Sequence, residues 1–190
     1  MDRRSFLATG SAAALLPILA AHASRVVAQP QAAGAGDAAL NAAFDKIFFQ
    51  VMKDSPGFAT SLGVDKGDLA YLHSTFDPKP FEVSRQEDVA HTRAALALLQ
   101  QINPATLSPT AALNREIVIY GLEQNLVAYP KFGLSSVQNP YDISQQDGAY
   151  FSIPDFLNST HPVENTADAE AYLSRLSDFA KLLDFETADQ

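Results

Sequence analysis

Four stretches of this chain repeat apolar side chains at intervals of three and four residues, and a proline or glycine stands near most of their ends. That period fits helices and excludes strands, which would alternate every second residue. Leu40, Phe44, Ile47, Phe48, Val51 and Met52 make the first stripe, opened by Asp37 and stopped at Pro56-Gly57. Val89, Leu96, Leu99 and Ile102 make the second. Its start is set at Ser84-Arg85-Gln86-Glu87, which has the spacing of a capping box, and its stop at Asn103-Pro104. Ser108-Pro109 opens the third, whose expected buried side is Leu113, Ile117, Tyr120 and Leu126. Gly121 inside it predicts a close helix–helix approach, since glycine otherwise weakens a helix by ~1 kcal/mol relative to alanine. Asn165-Thr166 opens the last, with Asp168 and Glu170 in the first turn and Tyr172, Leu176, Phe179, Ala180 and Leu183 as its buried face.

Between these stripes the chain reads as irregular. Residues 58–77 are expected to form a structured loop with at most a short helical turn, and Tyr129 to Val163 a long loop broken by prolines and glycines. There is no internal repeat and no alternation of strand and helix patterns. The expected fold is all-α: an antiparallel helical array with long irregular loops, part of a larger helical domain. At 190 residues the chain has the length of one domain.

The amino terminus is an address. Arg3-Arg4-Ser5-Phe6-Leu7 puts paired arginines ahead of an apolar run to Ala21, and Val26-Val27-Ala28 offers small residues for cleavage. Residues 1–28 therefore read as a twin-arginine signal peptide, 29–36 as a flexible leader and 37–190 as the helical domain. The apolar run is too short, and too broken by Gly10 and Pro17, for a permanent span, which needs ~20 residues. The expected location is periplasmic or secreted, and the expected partners are the twin-arginine export machinery and signal peptidase.

Charge and residue types exclude several chemistries. A net charge of −9 argues against nucleic acid. The absence of cysteine excludes disulfides, thiolate metal sites and a cysteine nucleophile. His22, His73, His91 and His161 have no i, i+4 pair, and His-Glu-x-x-His is absent, so no zinc site is expected in this chain. Asp65-Lys66-Gly67-Asp68 lacks the oxygen alternation of a calcium loop and reads as a turn. Asp142, Asp147 and Asp155, with Tyr141 and Tyr150, are the carboxylates placed to line a cleft from the long loop, but their spacing does not pair them. There is no Gly-x-Ser-x-Gly elbow and no phosphate loop. Asn158-Ser159-Thr160 matches a glycosylation acceptor by chance. No catalytic, cofactor-binding or metal residue is assigned.

An ordered set of short motifs resembles one family. Ser55-Pro56 precedes Ala59-Thr60-Ser61-Leu62-Gly63, and Ile102-Asn103-Pro104 precedes Leu107-Ser108. Gly148-Ala149-Tyr150, Pro154-Asp155-Phe156-Leu157, His161-Pro162 and the run from Ala167 to Leu176 follow in order. Over about Leu40 to Asp184 the chain resembles the domain-of-unknown-function 885 family, large exported or lipid-anchored bacterial proteins. The resemblance implies kinship to helical zinc peptidases whose His-Glu-x-x-His lies further on. Zinc is therefore expected only where that part is present, and a peptide-like substrate only in the full-length protein. On this reading the chain is the amino-terminal, non-catalytic part of a peptidase-like protein, its frame truncated after Asp184. The segment from Tyr141 to His161 is the expected cleft lining. The alternative is a self-sufficient small helical binding module.

Overall fold

The computed structural model describes residues 33–134, 141 and 143–188. Residues 1–28, expected as a signal peptide, most of the expected leader and Asp142 lie outside them. The described part is all-α, with helices α1 (Asp37–Asp54), α2 (Pro56–Ser61), α3 (Phe81–Gln100), α4 (Pro109–Phe132), α5 (Ala149–Ser159) and α6 (Thr166–Ala188). Two 3-10 segments, Gly67–Ser74 and Pro104–Thr106, join them. Among the described residues the only β pairing is an isolated bridge between Ser144 and Asp147. No described helix is long and apolar enough to cross a membrane.

The predicted start at Ser108-Pro109 is where α4 begins, with the Ser108 hydroxyl accepting the Ala111 N–H. Asp37 plays a different part from the one expected. It stands in the first turn of α1, and its carboxylate accepts the N–H of Gly34 at 2.9 Å and of Ser108 at 2.9 Å. One carboxylate thereby joins the starts of two helices 71 residues apart. The last leader residues are tied down as well, for Gly36 donates to the Thr106 carbonyl.

Other boundaries move. Helix α3 opens at Phe81 after Pro80, so Ser84 lies inside the helix rather than capping it. Glu87 turns instead to Lys79, at 2.6 Å. The expected loop 58–77 holds α2 and the 3-10 segment, both too short to show a period. Within the expected loop 129–163, α4 continues through Pro130 to a left-handed Gly133, and α5 forms around Pro154. Proline removes one hydrogen bond there, and the packing of Ala149, Ile153 and Leu157 under α6 offsets it.

The apolar core lies in three clusters. Met52, Ala59, Leu69 and Leu72 join α1, α2 and the first 3-10 segment. Leu40, Ala43 and Leu99 anchor α1 on α3 and α4, with Ile47, Val118 and Leu122 around them. Ala149, Ile153 and Leu157 meet Phe76, Phe156, Phe179 and Leu183 between α5 and α6.

Two predicted faces are rotated. Leu113, Ile117 and Tyr120 of α4 are exposed, and Ala111, Val118, Ile119 and Leu122 do the packing. In α6 Tyr172, Phe179 and Leu183 of the predicted face pack against the third cluster, but the most buried residues are Ala171, Arg175, Asp178 and Glu186, while Leu176 is 44% exposed and Ala180 faces solvent.

Gly121 makes no close approach, because a Cβ built there meets nothing within 4 Å. Gly121→Ala is therefore expected to stabilise the protein by about 0.5–1 kcal/mol, through helix propensity alone. Thermal unfolding checks it, and a lower midpoint would mean that the position is packed after all.

Candidate functional site

Helices α1, α3 and α4 leave an open cavity of about 570 Å³ between them. A second of about 430 Å³ lies beside it, toward Tyr71, Asp77 and Lys79. Gln50, Asp54 and His91 line both. Gln50 and Asp54 stand one turn apart on α1, so their side chains share a face. The Gln50 amide donates to Asp54 Oδ1 at 2.9 Å, and His91 Nδ1 meets Asp54 Oδ2 at 3.0 Å from α3. The shared wall of the two cavities is thus a carboxylate–imidazole pair braced by an amide. Asp88, one turn before His91, also faces the larger cavity. Ile47, Val51, Val89, Leu122 and the rings of Tyr120 and Tyr129 give it apolar wall, and Arg85 brings a cation to the same lining.

This lining differs from the expected one. The described residues of the segment from Tyr141 to His161 line neither cavity. Tyr141 is exposed, Asp155 faces solvent, and Asp147 accepts the N–H of its neighbour Gly148. Asp142 falls outside the described residues. Of the histidines singled out in the sequence, His91 stands in the cavity, while His73 and His161 belong to a buried network elsewhere. His22 is not among the described residues.

That network centres on Arg175, whose side chain is fully enclosed. Its Nε donates to the Thr75 carbonyl at 3.2 Å and its Nη2 to the Leu72 carbonyl at 2.9 Å and Thr60 Oγ1 at 2.7 Å. Its Nη1 meets His161 Nδ1 at 3.0 Å. The guanidinium carbon lies 5.0 Å and 4.9 Å from the ring centres of Phe76 and Phe156. These acceptors are all neutral. Compensating charge sits one step away: the Thr60 hydroxyl donates to Asp65 Oδ2, which also meets His73 Nδ1 at 2.6 Å. Asp178 accepts Thr75 Oγ1 and the Phe76 N–H. Burial pulls Arg175 down to about 10, which still leaves it charged at neutral pH.

Arginine only donates, so the contact with Arg175 fixes the His161 tautomer. Nδ1 must carry the lone pair, and Nε2 donates to the Asp168 carbonyl at 3.1 Å. Burial, followed by the charges of Arg175 and His73, holds the His161 imidazole below its ordinary range. His73 stacks on it with ring centres 4.9 Å apart. The His73 Nε2 is buried without a hydrogen-bond partner, 3.6 Å from Asp168 Oδ1.

Neither grouping fits zinc. Among the described residues no three His, Asp, Glu or Cys side chains converge as metal ligands. The polar hub escaped the sequence reading because Arg175 looks like a solvated charge between Ser174 and Leu176. The signal was the wheel: Ala171, Arg175, Asp178 and Leu182 repeat the expected face one residue earlier, a rotation of about 100°.

A histidine held neutral in the fold gives a pH dependence with a definite sign. Its folded pKa lies below the unfolded value of about 6.5, so the unfolded chain binds the proton first. The stability it confers is whole above that value and is lost as pH falls through the folded pKa. The urea midpoint is expected to fall between about pH 7 and pH 5. His161→Gln, which can still accept from Arg175 and donate to Asp168, should flatten that part of the slope. A wild-type midpoint constant across this window would refute the assignment.

Comparison with curated proteins and with solved structures finds no match. The family model described as "Bacterial protein of unknown function (DUF885)" matches residues 56–190, well over half of the chain, and the chain belongs to that family.

Proposed function

We infer that this chain is an exported protein whose helical body forms one wall of a peptide-binding cleft in a peptidase-like protein, without itself carrying the hydrolytic machinery. The observation that carries the reading is the cavity of about 570 Å³ between α1, α3 and α4. Its size suits a short peptide segment, and its mixture of apolar walls with a few polar groups is that of a binding site. Asn125, Gln124 and Gln50 offer amides to a peptide backbone, while Ile47, Val51 and Leu122 offer apolar surface. The family's resemblance to zinc peptidases supports a role in shaping the cleft, since His-Glu-x-x-His is not in this sequence.

A second reading, the self-sufficient periplasmic binding module, draws on Arg175. Its ties reach back about 100 residues to Thr75 and Leu72 and further to Thr60. Those ties close the body on itself, and the same cavity would then serve alone.

Export rests on Arg3-Arg4-Ser5-Phe6-Leu7. Replacing both arginines with lysine is expected to retain the precursor in the cytoplasm, read by fractionation of a reporter fusion. Unchanged delivery through the general secretory channel would remove the twin-arginine claim.

For the cleft, Ala95 lines the cavity on α3. Ala95→Trp is expected to fill it and abolish binding of short unstructured peptides, measured by fluorescence anisotropy with helix content checked by circular dichroism. Equal binding by the folded variant would place the peptide elsewhere.

A further inference from the structure

Helix α4 carries an apolar row on its outer side as well as on its inner one. Ala111, Val118 and Leu122 pack inward around Leu40 and Leu99. Leu113, Ile117 and Tyr120 stand on the other side, 56%, 59% and 65% exposed. Their spacing of four and three residues makes one continuous row over two turns. A surface helix keeps its solvent side polar, and one that is apolar on both sides is a helix covered on both sides. Gly121 lies beside the row, one turn after Ile117. It weakens the helix without relieving any contact within the chain, because a Cβ there meets nothing within 4 Å. Open space over bare backbone lets a second helix cross closely at this point.

Charge decides what the cover is. Glu116 and Glu123 are exposed two turns apart along one edge of the row, and neither forms an ion pair with a described residue. The other edge, Asn114 and Gly121, is neutral. Of the cations of α4, Arg115 turns inward to the Leu99 carbonyl, and Lys131 stands beyond the row, about 16 Å along the axis from Tyr120. A second copy of this chain would bring no cation to the acidic edge. Laid antiparallel across a two-fold axis, it sets Glu116 and Glu123 against their own copies. Laid parallel, it sets them against Asn114 and Gly121. A helix with lysine or arginine along one edge meets both carboxylates while its apolar stripe covers the row.

We propose that the outer side of α4 docks an amphipathic helix of another protein, with its apolar stripe on Leu113, Ile117 and Tyr120 and its basic edge along Glu116 and Glu123. This face is separate from the cavity, which shares only Tyr120 with the row. Position 121 sets how near the docked helix can come, so its glycine belongs to the interface rather than to the fold.

The experiment uses the full chain and two dye-labelled helical peptides with the same leucine stripe, one with lysine along an edge and one with glutamate. Fluorescence anisotropy should show the lysine peptide binding at least about tenfold tighter. Ile117→Gln, which keeps the helix and removes one apolar anchor, should weaken it at least about tenfold. Reversing the edge with Glu116→Lys and Glu123→Lys together should exchange the preference between the two peptides. Gly121→Leu should raise the thermal midpoint of the free chain and weaken the lysine peptide, a split that unfolding cannot produce. Ala95→Trp should leave this binding unchanged, which separates the face from the cavity. Equal binding of the two peptides, no binding of either, or no effect of Ile117→Gln overturns the proposal. So does a chain that sediments as a dimer until Ile117→Gln dissociates it, since the cover is then a second copy.

Discussion

A guanidinium sealed from water sets the terms for much of this fold. Arg175 is charged at neutral pH and wholly enclosed, and it touches no carboxylate within the set of groups that accept from it. A buried charge that loses a partner costs about 3–5 kcal/mol, against a total margin of about 5–15 kcal/mol for a typical protein. Its acceptors therefore have to be in place together. They come from α2 (Thr60), the first 3-10 segment and its exit (Leu72, Thr75) and the end of α5 (His161). The planar fork matters here, since a lysine ammonium reaches fewer acceptors and cannot lie against two rings in the same way. One side chain on α6 thus fixes three segments that have little regular structure with which to fix themselves.

This accounts for the division of the molecule. The clusters around Met52 and Ile153 flank the arginine, sharing Phe76, Phe156 and the backbone of Leu72 with its shell. The cluster around Leu40 and Leu99 does not take part, and it packs α1 against α3 and α4 beside a few polar ties, among them Arg115 Nε donating to the Leu99 carbonyl at 3.0 Å. The open cavity lies on that side. The rigid, polar-locked half and the receptive half are separate, but α1 belongs to both. Its Met52 packs into the first cluster, while Gln50 and Asp54, two residues to either side, face the cavities.

Much of the helical frame was legible in the sequence, and the exceptions share a cause. The stripe from Leu40 to Met52 and the Ser108-Pro109 start needed only local spacing and capping. Helix α2 has six residues, below the window in which a period of 3.6 can be seen, and α5 was masked by Pro154. The face of α4, and part of that of α6, were misjudged because large apolar residues were assumed to point inward. In α6 the inward row is Ala171, Arg175, Asp178 and Glu186, and only knowledge of its acceptors on other segments makes that row stable. The cavity pair is another non-local feature. His91 stood out by residue type, but Asp54 lies 37 residues away and becomes its partner only once α1 packs on α3. The family resemblance was legible because it rests on order rather than on any one motif.

The apolar core is thin for the length of chain it serves. Of the buried apolar residues among those described, five are alanines (Ala43, Ala59, Ala128, Ala149 and Ala171), while Phe49, Ile117, Tyr120 and Leu173 are exposed. Alanine buries little area, at roughly 25 cal/mol per Å², so packing alone gives these helices weak positional preference. Directional contacts must supply the rest, and they occur where two segments would otherwise be free to slide. Asp37 joins the starts of α1 and α4, Glu186 accepts the Ala149 N–H at the start of α5, and Asp178 takes the chain leaving the 3-10 segment. Each is a carboxylate receiving backbone N–H groups, which fixes a register more sharply than an apolar contact can. The same economy explains why the cavity stays open. Its walls are small at Ala95 and Ala128, and its end carries Asp54, Asp88 and His91. Collapse of α1 onto α3 and α4 would gain apolar contact but strip water from two carboxylates. The polar groups that define the site are therefore also what keeps it from being filled by the protein itself.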